Sequence, residues 1–188
     1  MRILVVSDTH GSIDRVKEVY LKLNKEKKID YICHCGDYID DALLLNKSLG
    51  VKVVATKGNC DNSFSEDEYN ILETEAGNIL VVHGHMQHVG YSLEYLYDLA
   101  LENSCVCVLF GHTHRNIFTS LNGIYMMNPG SINRPRDGSN GSFGILDIDC
   151  DTISGQIHFF DKFMNDEKTK KKVTTGHLSS MINYSDRF

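Results

Sequence analysis

The sequence predicts a mixed α/β domain whose two sheets pack face to face between layers of helix. In its first part, short apolar runs alternate with segments of helical period, the pattern of β-α-β units. Further on, paired strand patterns are joined by glycine turns, as in hairpins. The chain has 188 residues with 41 % hydrophobic and 23 % charged side chains, which suits one soluble domain with a sizeable core.

The elements follow in order. Arg2–Val6 reads as a strand buried on both faces, because Ile3, Leu4, Val5 and Val6 leave no polar side. Residues 12–26 place Ile13, Val16, Val19, Tyr20 and Leu23 on one helical face, with Ser12 as the expected N-cap. Ile29–Cys35 is a second strand, 40–49 a short helix stopped by Gly50, and Val51–Thr56 a third strand. Residues 69–75 and 79–82 flank Ala76-Gly77-Asn78 as a hairpin. A helix over 91–102 and a strand over Cys105–Phe110 come next. Residues 116–121 and 124–127 pair around Asn122-Gly123, and 143–148 with 155–160 form a last hairpin. The first half therefore reads as parallel and the second half as rich in antiparallel hairpins. From Asp161 the chain is polar and includes the charge run Lys168–Lys172, of the kind that is usually solvated.

Composition narrows the function. A net charge of -6 disfavours a nucleic-acid partner, which usually needs a basic face. A small phosphorylated substrate remains compatible, since bound cations can supply positive charge locally. No apolar run approaches the roughly 18 residues of a membrane span. Met1-Arg2 leads straight into Ile3–Val6 and then Ser7-Asp8, too short for a signal-peptide core, so the chain reads as cytoplasmic. The pairs Cys33/Cys35 and Cys105/Cys107 lie in apolar runs at a spacing that places each pair on one strand face. Buried, reduced thiols fit them better than a zinc knuckle. A homo-oligomer is left open.

Five strands run out into polar clusters: Asp8-Thr9-His10, Gly36-Asp37, Gly58-Asn59-Cys60-Asp61, His83-Gly84-His85 and Gly111-His112-Thr113-His114. Ligands of open α/β sheets gather beyond the C-terminal strand ends, so clusters distant in sequence converge there. Carboxylates, imidazoles and an amide oxygen suit first-row divalent ions and not soft thiolate sites. A lone histidine at a strand end is more often a satisfied core or surface residue; the ordered set of five is what carries the signal. No GxSxG elbow and no GxxxxGK[ST] loop competes with it.

This order, D-x-H, G-D, G-N-x-D, H-G-H, G-H-T-H, resembles the calcineurin-like metallophosphoesterases, and with Asn128-Pro129-Gly130-Ser131 it looks most like their small microbial YfcE-type phosphodiesterase branch. The resemblance covers residues 1–160 and leaves 161–188 as a polar C-terminal extension. It implies a four-layer αββα sandwich of two mixed sheets. It also implies a first metal on Asp8, His10, Asp37 and His114, and a second on Asp37, Asn59, His83 and His112. Two divalent ions about 3.5–4 Å apart, Mn first with Ni, Co, Zn or Fe as alternatives, would share Asp37 and activate a bridging water for in-line attack on phosphorus. Cys60 stands where many relatives carry a histidine that donates a proton or clamps the phosphate, a change the small branch often shows. His85 is then the candidate for that catalytic role, or else a histidine that steadies the ligands. His34 reads as core or supporting, and His88, His158 and His177 carry no expectation. Loop 128–136 holds Pro129, Arg134, Pro135 and Arg136; it is either rigid turn chemistry or brings an arginine, Arg136, to a substrate phosphate. The resemblance also contains a second function class, since one eukaryotic relative of this size is a retromer scaffold subunit.

Overall fold

A computed structural model describes residues 1–61 and 68–165. The expected basic run at 168–172 and His177 lie outside the described residues. The chain begins β1 (Arg2–Val6), α1 (Asp14–Glu26), β2 (Tyr31–His34), α2 (Ile39–Leu49), β3 (Lys52–Ala55). It continues β4 (Tyr69–Leu72), β5 (Asn78–Val82), α3 (Glu94–Glu102), β6 (Cys105–Leu109), β7 (Asn116–Leu121), β8 (Ile124–Pro129). β9 (Ser142–Asp149), β10 (Thr152–Phe159) and α4 (Phe160–Asn165) close it. One five-stranded sheet runs β10-β9-β1-β2-β3 and the other β4-β5-β6-β8-β7.

Period-two alternation within apolar runs explains the layers. In β1, Ile3 and Val5 point into a cluster between the sheets with Cys33, Ile79, Val81, Leu109 and Met127. Leu4 and Val6 point the other way, onto Val16, Val19 and Leu23 of α1. β5 does the same, with Leu80 and Val82 turned onto Leu96 and Ala100 of α3. β1 and β5 are apolar on both faces because each face meets a different layer. The result is a four-layer αββα sandwich of two mixed sheets, as expected.

The structure corrects several details. Ser12 does not cap α1; Ile13 holds the N-cap position without a side-chain hydrogen bond, and Asp14 places its charge in the first turn. The second half carries the expected antiparallel hairpins, β4–β5, β7–β8 and β9–β10, but β5, β6 and β8 also pair in parallel. The last hairpin turns at Cys150-Asp151, so its second strand begins at Thr152 and not at 155. Cys105 and Cys107 do not share a face. The register shifts between Asn78 and Ile79, which pair with Cys105 and Cys107, leaving Val106 as the extra residue. Cys107 therefore joins the inter-sheet cluster while Cys105 packs with α3. All the cysteines are free thiols. Beyond residue 160, α4 buries Phe163 against Phe143 and the α1 layer.

Candidate metal centre

Parallel strands present their C-terminal ends at one edge of each sheet. Asp8 and His10 follow β1, Asp37 follows β2 and Asn59 follows β3; His83 follows β5, while His112 and His114 follow β6. The fold brings all seven together. Ligand-type atoms of Asp8, His10, Asp37 and His114 all lie within 4.8 Å of one another. Beside them, Asn59 Oδ1 lies 3.1 Å from His83 Nε2 and 3.0 Å from His112 Nδ1. Asp37 Oδ1, 3.3 Å from His83 Nε2, touches this second group as well.

The hydrogen bonds behind the imidazoles fix what their front atoms are. His83 Nδ1 lies 2.7 Å from the Cys35 carbonyl and His114 Nδ1 2.6 Å from that of Arg134. A carbonyl only accepts, so both Nδ1 atoms carry the proton and both Nε2 atoms face forward as lone pairs in the neutral rings. His114 Nε2 then meets His10 Nε2 at 3.3 Å and Asp8 Oδ1 at 3.1 Å. Despite that distance Asp8 Oδ1, fully buried, forms no well-directed hydrogen bond among the described residues. Lone pairs converging on unpartnered buried oxygen is a costly arrangement unless a cation sits among them. The residues present therefore fit divalent metal ions, one set on each side of Asp37.

Burial opposes ionisation of Asp8, but the His114 and His83 imidazoles and Ser7 outweigh it and hold the carboxyl below its usual range. Burial likewise opposes the charge on His114, but Asp8 beside it raises its pKa overall, so a proton competes with a cation for the Nε2 lone pair. His10 and His112 are pushed down by burial first and by a neighbouring imidazole second. They are free bases near neutral pH, the form a metal needs.

The backbone is forced into this arrangement. Asp8, His10, Asp37, His112 and His114 all have φ between 51° and 68°, the left-handed region that side chains other than glycine rarely occupy. Such residues cost about 1–3 kcal/mol each and persist where surrounding contacts over-determine them, typically at functional sites. Here Ser131 Oγ donates to the Asp8 carbonyl at 2.8 Å, and Asn128 Nδ2 donates to the Gly111 carbonyl at 2.7 Å. Close approach requires glycine at the site: a Cβ on Gly58 would collide with Asp37 Oδ1, one on Gly111 with Ser7 Oγ and one on Gly36 with the His83 ring.

The remaining expected site residues sit at the rim. The half-buried His85 ring lies 5.3 Å from that of His83 and 6.2 Å from that of His112, and its buried Nδ1 has no partner among the described residues. Burial first and the neighbouring His83 imidazole second push its pKa down. Exposed Cys60 gives its backbone N–H to Asp37 Oδ1 at 3.0 Å. Desolvation and the Asp37 carboxylate push its thiol up to about 11. Arg136 is exposed; its amide donates to the His114 carbonyl at 3.0 Å. Pro129 ends β8 and so belongs to the sheet, not to the loop. Sequence reasoning missed Asp41, which is buried in α2 and holds Thr9 and Gly11, because an aspartate in the first turn of a helix reads as ordinary capping chemistry.

Comparison with known proteins agrees with this geometry. Residues 1–151 match the family model described as the calcineurin-like phosphoesterase superfamily domain. The probable metallophosphoesterase YsnB of Bacillus subtilis is 30 % identical over 175 residues, 93 % of this chain and 99 % of that one. The phosphodiesterase YfcE of Escherichia coli K12 is 27 % identical over 172 residues, 79 % of this chain and 89 % of its own. The crystal structure of wild-type Vps29 complexed with Zn²⁺ from Entamoeba histolytica has the same fold. It superposes with a TM-score of 0.71 at 22 % identity over 85 % of this chain and 92 % of that one. This chain belongs to the calcineurin-like phosphoesterase superfamily.

Proposed function

We propose that the protein hydrolyses small phosphodiesters with two divalent cations. The first would be held by Asp8, His10, Asp37 and His114, the second by Asp37, Asn59, His83 and His112. The observation that carries this reading is the Asp37 carboxylate: it belongs to the tight cluster with Asp8, His10 and His114, and its Oδ1 also reaches His83. When bound, the cation pair supplies Lewis acidity toward the phosphate and an activated water for attack on phosphorus. The chain's own residues do the rest. Asp37 holds both halves of the ligand set at a common point. His85 stands beside the second group, half-buried, and would hold or protonate a leaving oxygen. Cys60 lines the rim as a neutral thiol, and Arg136 offers a charged contact to the substrate phosphate.

Manganese heads the proposed ions, with nickel, cobalt, zinc and iron as alternatives, since nitrogen and oxygen donors without sulfur suit first-row divalent ions. The test is hydrolysis of bis(p-nitrophenyl) phosphate by chelator-treated protein with and without added Mn²⁺, Ni²⁺ or Co²⁺. Turnover that needs the ion supports the reading; full turnover by protein that metal analysis shows to be empty sinks it. A scaffold role is the second reading, because Vps29 shares the fold. It has no need of a complete ligand set, so the seven filled positions favour the enzyme.

A further inference from the structure

We propose that Asp41 is a positioning residue for the first cation, setting Asp8 and His10 through Thr9 and Gly11; this rests on the two-cation reading above. Thr9 sits between two left-handed residues, Asp8 at φ 54° and His10 at 51°, and Gly11 follows at 83°. Such a segment holds its shape only if it is gripped from outside. One face is gripped through its carbonyls: Ser131 Oγ donates to Asp8 O and Asn133 Nδ2 to Thr9 O, both at 2.8 Å. The other is gripped through its donors, and there one carboxylate oxygen does the work. Asp41 Oδ2 accepts the Thr9 hydroxyl at 2.6 Å and the Gly11 amide at 2.9 Å.

The hydrogens of this unit can be placed by elimination. Thr9 has one hydroxyl hydrogen. Given to Asp41, it leaves the oxygen to accept from His34 Nε2 at 2.9 Å. His34 is then the Nε2–H tautomer, and its Nδ1, fully buried, has no partner among the described residues. The unit His34–Thr9–Asp41 is thus directional and ends on a buried carboxylate in the first turn of α2, where free helix amides favour negative charge. It ties the loop after β1 to an element that supplies no ligand. Asp41 acts on the site only through Thr9 and Gly11.

The experiment compares Asp41→Asn, Thr9→Val and Thr9→Ser with wild type. The readout is a two-site Mn²⁺ titration of metal-free protein, with the metal-free melting temperature recorded alongside. His10→Ala identifies which phase belongs to the first ion. We expect Asp41→Asn and Thr9→Val to weaken that phase about 10- to 100-fold, the usual effect of losing a partner that orients a ligand. The other phase should change far less, and Thr9→Ser should restore binding because it keeps the hydroxyl. Variants that melt earlier yet bind both ions with wild-type affinity overturn the proposal and leave Asp41 a stabilising residue. If Asp41→Asn does not fold, Thr9→Val and Thr9→Ser carry the same comparison. Failure of the wild type itself to bind any ion rejects the two-cation reading, and this inference with it, a pattern distinct from failure in the variants alone.

Discussion

Asp37 combines three constraints in one residue: a left-handed backbone at φ 59°, a carboxylate 2 % exposed, and acceptor contacts on both sides of the site. A residue shared by both ligand sets should matter more than one that serves a single set. We expect Asp37→Asn to lower kcat/KM by at least about 10²-fold, the scale of a lost electrostatic contact in the transition state. His10→Ala should cost less. An Asp37→Asn enzyme with two bound metals and near-normal turnover would remove the shared role. The rim residues divide differently. A thiol pushed up to about 11 is neutral throughout the working range, so Cys60→Ser should leave turnover near normal. The sign is simple: raising an acid's pKa favours its protonated form, so less reactive thiolate is present at any pH below that value. In metal-free protein, iodoacetamide should modify Cys60 at pH 8 on the order of 100-fold more slowly than a thiol of ordinary pKa near 8.5, with the rate still climbing beyond pH 10. Fast alkylation with a plateau by pH 9 refutes it. His85→Ala should lose roughly 10²–10⁴-fold on alkyl diesters if it donates a proton, and much less on nitrophenyl esters, whose leaving group departs unprotonated. Equal losses on both would make it a phosphate clamp.

The elements that position these residues were readable where a single pattern decided them. β1 and β5 were visible as unbroken apolar runs, and Gly50 was visible as the stop of α2, where it takes φ 65°. The five ligand-bearing turns were visible for the same reason: each follows a strand, and parallel strands end at one edge. What escaped depended on pairing partners. The bulge that separates Cys105 from Cys107 exists only because β5 and β6 slip by one residue, and no local pattern records that. Asp41 escaped because its partners, Thr9 and Gly11, are about thirty positions away. The two kinds of glycine make a paired test. At Gly50 nothing lies within 4 Å of an added Cβ, so Gly50→Ala meets only the left-handed penalty, about 1–2 kcal/mol, with activity intact. Gly58→Ala drives a methyl into Asp37 and should abolish metal binding even in protein that still folds. Chemical denaturation and metal titration of the two variants separate the effects; equal metal affinity in Gly58→Ala would show that the close approach is not needed.

At the scale of the whole molecule, the proposed ligands straddle the sandwich. Asp8, His10, Asp37 and Asn59 hang from the first sheet, whereas His83, His112 and His114 hang from the second. Each proposed ion would therefore draw ligands from both sheets and staple them along one edge. The interior staples them by packing: Met127 of β8 is fully buried and reaches the space left by Gly144 and Gly155 on β9 and β10 of the other sheet. These two devices should be separable. Binding of an ion to the folded state alone stabilises by about 2.7 kcal/mol at a hundredfold excess over Kd. For a chain of this length that corresponds to a rise of roughly 5–10 °C in melting temperature for each ion. Met127→Ala removes core volume and should cost about 2–5 kcal/mol whether or not metal is present. His114→Ala removes a ligand and should lower the melting temperature chiefly of the loaded protein. The expected pattern in melts with and without Mn²⁺ is thus a wild type that gains from metal, a Met127→Ala protein that starts lower and gains as much, and a His114→Ala protein that gains little. Additivity is expected for the first pair because a cavity in a close-packed interior relaxes only locally, leaving the strand ends in place. If Met127→Ala also lost the metal-dependent gain, the inter-sheet packing would itself be setting the geometry of the ligands. If wild type melted identically with and without the ion, the site could not be joining the two sheets at all.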